Sequence, residues 1–127
     1  MKKIIVLFVI MLFVVGWKST KVYQEYKGAR AMAIEAESES NYVVAAEKYL
    51  LAASVAEDNN MLEIQAWQLN NAAYCLIKNH KLNKDVSGLL NAIDTLTAAK
   101  EIADKINVEN LNAKIKSNID YCKFYIK

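Results

Sequence analysis

Apolar and small residues recur along this chain every three or four positions, the period at which side chains return to one face of an α-helix. Between residues 18 and 38 the stripe is Val22, Tyr26, Ala29, Ala33 and Ala36, interrupted only by Gly28. A second stripe, Ala45, Tyr49, Ala52 and Ala56, follows the polar stretch SESN and predicts a short alanine-rich helix over residues 42–57. Asn59 and Asn60 break the pattern, and Asn60 with Glu63 has the form of a capping box that opens a third helix. That helix is striped by Leu62, Ala66, Leu69, Ala73 and Leu76, with Trp67 and Tyr74 on its flanks; the polar run KNHKLNK, residues 78–84, reads as the loop that ends it. Asp85 is positioned to cap a fourth helix with Val86, Leu89, Leu90, Ile93, Leu96, Ile102 and Ile106 turned inward. Asn107 is positioned to cap a fifth, striped by Val108, Leu111, Ile115, Ile119, Cys122 and Ile126. With three glycines and no proline in the chain, nothing supplies the turn punctuation of a β fold, and the expectation is all-α.

The stretch NAAYCLIK at residues 71–78 returns in outline as NIDYCKFY at residues 118–125. Asn71, Tyr74 and Cys75 map onto Asn118, Tyr121 and Cys122 at a constant separation of 47 residues. The same separation carries Ala45 to Ala92, Ala52 to Ala99, Ala56 to Ala103 and Ala66 to Ala113. One register shared by two different helices predicts a repeated helical pair, with the small residues where neighbouring helices approach closely.

Ala45-x3-Tyr49-x2-Ala52 resembles the second helix of a tetratricopeptide repeat, and Trp67 with Tyr74 seven residues on resembles the first helix of the next. Ala92-x3-Leu96-x2-Ala99 resembles the following second helix, with leucine in the aromatic slot. The chain departs from that family at Asn70 and Asn71, where leucine and glycine are expected, in lacking a closing proline, and in a third-to-fourth connection longer than the family allows. The resemblance covers residues 28–126 and implies antiparallel helical hairpins closed by a C-terminal capping helix. It also implies a concave wall made by the first helix of each pair, carrying Lys27, Arg30, Gln65, Gln68 and Asn112 as residues that bind an extended peptide or a partner helix.

Two domains follow, a hydrophobic segment at residues 1–17 and a tetratricopeptide-like helical domain at residues 18–127. Lys2 and Lys3 precede the uncharged run IIVLFVIMLFVVGW at residues 4–17, which as a helix would be about 21 Å long. Cleavage after Gly16 would release a soluble exported chain. Retention as a single-pass anchor, with the domain on the extracytoplasmic side, is the preferred expectation, because no A-x-A site is present and Lys18 and Lys21 resist transfer. No cysteine follows the run closely enough for a lipoprotein anchor.

Charge and candidate chemistry then narrow the function. A net charge of +2, with acidic and basic residues interleaved, gives no field for nucleic acid. His80, the only histidine, has no nucleophile or acid at a recognisable spacing and reads as a solvated turn residue. Glu35, Glu37 and Glu39 cannot share a helix face and read as surface. Cys75 and Cys122 fall on equivalent helices, whose 8–10 Å packing distance exceeds the roughly 7 Å that a disulfide spans. Small buried thiols are the preferred reading and a bridge the alternative. No phosphate loop, catalytic motif, metal set or cofactor signature is present, so the expectation is a non-enzyme. Two functions remain: a protein-interaction module with an unidentified protein partner, or a structural membrane component that associates with its own copies.

Overall fold

The computed structural model describes residues 21–126. They form an all-α fold of five packed helices: α1 at residues 21–38, α2 Tyr42–Asp58, α3 Leu62–Asn83, α4 Val86–Ile106 and α5 Glu109–Tyr125. The hydrophobic run at residues 4–17 lies outside the described residues, and among those described no helix is long and apolar enough to cross a membrane.

Each turn pivots on one non-glycine residue in the left-handed region: Ser40, Asn60, Lys84 and Asn107, with φ of 60°, 57°, 58° and 55°. The first two turns share one hydrogen-bond pattern. After α1, the N–H of Asn41 donates to Ala36 O and that of Ser40 to Glu37 O; after α2, Met61 N–H donates to Ala56 O and Asn60 N–H to Glu57 O. This is the Schellman closure, which satisfies carbonyls that the helix end would leave open. The last two turns use the simpler single bond, Lys84 N–H to His80 O and Asn107 N–H to Ala103 O, both 2.8 Å.

Several sequence expectations change here. Asn60 closes α2 instead of capping α3, whose N-cap is Met61 with no side-chain hydrogen bond. Asn107 likewise ends α4, and Val108 stands at the head of α5. Asp85 does cap α4, its Oδ1 accepting from Gly88 N–H at 3.3 Å. The run KNHKLNK is not a loop: α3 continues through Asn83 and the connection to α4 is only Lys84 and Asp85. Its polar side chains find partners. Asn83 donates to Asn79 Oδ1 at 2.7 Å, and Asn79 donates to Asp85 Oδ2 at 3.3 Å. His80 is buried, with Nδ1 2.9 Å from the Tyr121 hydroxyl. Helix propensity is a weak preference, and these tertiary bonds override it.

Helices α1, α3 and α5 lie side by side, joined by the hydrogen bonds Gln68–Tyr26, Lys78–Glu37 and Asn118–Asn70; α2 and α4 pack against them as a second layer. This arrangement is compatible with a helical repeat, and burial follows the 47-residue register. Ala45 and Ala92, Ala52 and Ala99, Ala56 and Ala103, and Cys75 and Cys122 are all fully buried. Ala113 breaks the register by facing solvent although Ala66 is buried. Val86 and Leu90, expected inside, are exposed, so α4 turns Leu89, Ala92, Leu96, Ala99 and Ala103 inward.

Two apolar clusters share α3 between them. One joins α3, α4 and α5 through Ile77, Leu89, Leu96, Leu111 and Ile115, with Cys122 among them. The other joins α1, α2 and α3 through Ala33, Ala36, Ala45, Ala46, Ala72, Tyr49 and Cys75. The two halves of the register differ in the flank they present. Leu69, Ala73 and Leu76 of α3 pack into the first cluster, while Lys116, Asp120 and Lys123 hold the equivalent positions on α5 and line an open groove.

Candidate interaction wall of α1, α3 and α5

The layer formed by α1, α3 and α5 carries a chain of amides and aromatic rings. Gln68, only 4% exposed, donates from Nε2 to the Tyr26 hydroxyl at 3.0 Å and accepts from Asn71 Nδ2 at 3.3 Å. One turn away, Asn118 Nδ2 donates to Asn70 Oδ1 at 3.0 Å, tying α5 to α3. Between these two helices opens a hollow of about 300 Å³ lined by Asn70, Asn71, Tyr74, Lys114, Ser117 and Asn118. The repeated asparagines thus stand together at one hollow: Asn71 is held from α3 itself, and Asn118 reaches across.

Cations are seated on rings along the same layer. Lys114 Nζ lies 5.3 Å from the Trp67 ring centre, Lys81 Nζ 5.1 Å from Tyr121, and Lys27 Nζ 5.1 Å from Tyr23. Such contacts hold a charge in place without neutralising it. Lys78 is different: it pairs with Glu37 and lies 4.7 Å from the Tyr74 ring and 5.7 Å from that of Tyr42. Glu37 also accepts from the Tyr49 hydroxyl at 2.8 Å, so one carboxylate of α1 binds side chains of α2 and α3. Partial burial pushes the Glu37 carboxyl up, but the hydrogen bonds from Lys78 and Tyr49 outweigh it and hold the group below its usual range. Burial and then the Glu37 bond push the Tyr49 phenol up.

The five residues expected on the wall do not gather into one cluster. Lys27 and Arg30 are exposed on α1, and Gln65 is half-buried at the start of α3. Gln68 is interior, bonded within the protein and not presented to solvent. Asn112 is half-buried and lines the groove between α4 and α5, not the hollow between α3 and α5. Periodicity could not separate a wall position from an interior one because glutamine suits both.

Sequence reasoning missed the residues that line the hollow. Asn71, Tyr74 and Asn118 were marked by their repetition, which was a usable signal; Lys114 and Ser117 carried none. Glu37, expected as solvated surface, is half-buried and paired. Cys75 and Cys122 are both free and buried, their thiols pushed up by burial to about 12 and about 11. These are inert interior groups. Among the described residues no group of three or more histidine, cysteine, aspartate or glutamate side chains could hold a metal ion.

No family model, curated protein or solved structure matches this chain, so the functional reading rests on its geometry.

Proposed function

We propose that this chain is a tetratricopeptide-like protein-interaction module, held at or exported across a membrane by residues 4–17, with its domain on the extracytoplasmic side. Its chemistry is binding, not turnover. The observation that carries the reading is the hollow between α3 and α5, where Asn70, Asn71 and Asn118 supply amides, Tyr74 a ring and Lys114 a cation. Amides offer both a donor and an acceptor, which suits the alternating N–H and C=O groups of an extended peptide. The helices that frame the hollow are already packed, so a ligand meets ordered groups and little freedom is lost on docking.

A photocrosslinking residue at Ser117, on the wall, should form a discrete adduct with one protein in membranes of the native host. The same residue at Leu51, exposed on α2 in the other layer, should not. Substituting Asn71→Ala together with Lys114→Glu should abolish the Ser117 adduct. Equal yields from both positions, or an adduct indifferent to those substitutions, would exclude the wall as the binding surface.

A second reading, a structural membrane component that associates with itself, is favoured by one observation. Val43, Leu50 and Leu51 of α2 and Val86 and Leu90 of α4 are exposed on the outer layer. In that case Leu51 yields the chain's own dimer as the adduct and Ser117 yields nothing.

A further inference from the structure

We propose that α1 is a strap latched by Glu37, which lifts from α2 and α3 while the α3–α4–α5 core stays packed. The side chains that α1 buries are alanines, Ala29, Ala33 and Ala36; Val22 and Tyr26 are half-buried, and Tyr23, Met32 and Ile34 face solvent. Apolar stabilisation scales with the area removed from water, so three alanines hold this helix far less firmly than isoleucines and leucines hold α4 and α5. The two apolar clusters meet only along α3, and the one containing α1 holds none of the fully buried leucines or isoleucines.

What alanine does not supply, Glu37 does. Its carboxylate takes hydrogen bonds from Lys78 of α3 and Tyr49 of α2, so this one side chain ties α1 to both neighbours, with Tyr26–Gln68 as the other side-chain bond to α3. Cys75 of α3 and Arg30 of α1 are the other titratable or charged groups acting on this cluster, and Tyr74 of α3 adds to the field at Lys78. Local openings of this kind follow the least stabilised element and precede global unfolding. They also bear on the wall, because α1 supplies the Tyr26 hydroxyl that Gln68 engages beside Asn71. That link rests on the binding function proposed above; the latch does not.

The repeat supplies one thiol on each side of the boundary. Cys75 is buried in the cluster that α1 covers and Cys122 in the cluster it does not touch. With its thiol pushed up to about 12 by burial and then by Glu37, Cys75 is unreactive while α1 is docked. The experiment is timed maleimide labelling of the full chain in mild detergent, read by peptide mass spectrometry at each cysteine. Glu37→Gln should speed labelling of Cys75 by about tenfold, the weight of a charge-assisted hydrogen bond, and leave Cys122 unchanged. Tyr49→Phe, a gentler change, should act in the same direction with a smaller factor. Leu111→Ala, in the α3–α4–α5 core, should speed Cys122 and change Cys75 far less, because Cys75 is reached through the strap while that core is still packed. If either latch variant speeds both cysteines equally, or Tyr49→Phe leaves Cys75 unchanged so that Glu37→Gln acts only by removing its charge from beside the thiol, the strap is overturned.

Discussion

At the scale of single residues, small side chains set the spacing of this fold. Ala52 and Ala99 hold equivalent positions in successive units and are both fully buried, so the helices approach at a distance that a methyl group fills. Ala99→Leu should therefore lower stability by about 1–3 kcal/mol through overpacking, measured by urea unfolding of the full chain. Leu96→Ala, at a fully buried site in the larger cluster, should cost about 2–5 kcal/mol by leaving a cavity. Glu37 adds a dependence on pH. Its folded carboxyl lies below the ordinary value of 4.5, so the stability it contributes is complete above 4.5 and disappears as pH falls through the lower folded value. The gap in urea midpoint between wild type and Glu37→Gln should accordingly be open at neutral pH and narrow steadily as pH falls below 4.5; a gap of the same size at every pH would mean that the charge contributes nothing.

At the scale of elements, the helices were legible and several of their ends were not. Stripes such as Ala45, Tyr49, Ala52 and Ala56 gave both the existence and the inward face of α2, because burial and helical period coincide there. The last turns of α3 were hidden by composition. Asn79, His80 and Asn83 carry the polarity of a loop, yet Asn79 and Asn83 are held by local side-chain bonds within and just beyond α3 and His80 by Tyr121 of α5, a partner no local pattern announces. Asparagines at helix boundaries misled in another way, since Asn60 and Asn107 suit an N-cap and a left-handed C-terminal residue equally well. Their actual role leaves Ser40 and Lys84 as the anomalies, and Lys84, the bulkier, sits at φ 58° where glycine would carry no steric penalty. Lys84→Gly should raise stability by up to ~1 kcal/mol, measured as an increase in urea midpoint; a decrease would mean that the lysine makes compensating contacts.

At the scale of the whole molecule, the 47-residue register was visible in the burial pattern, and it shifts where Lys116, Asp120 and Lys123 replace the apolar flank of α3. The wall was legible only as a layer: its helices could be counted from the register, but which polar residues meet across it depends on helix rotation, which period alone does not fix. That layered order has a kinetic consequence. The side-chain bonds that link one helix of the wall to the next, Tyr26–Gln68, Glu37–Lys78 and Asn70–Asn118, join residues 42, 41 and 48 positions apart, so each wall helix closes on the one formed two elements earlier. A chain without proline has no slow isomerising bond to wait for. Refolding after a long denaturing delay should be as fast as after a brief one, and the stack can grow helix by helix as the polypeptide emerges from the ribosome.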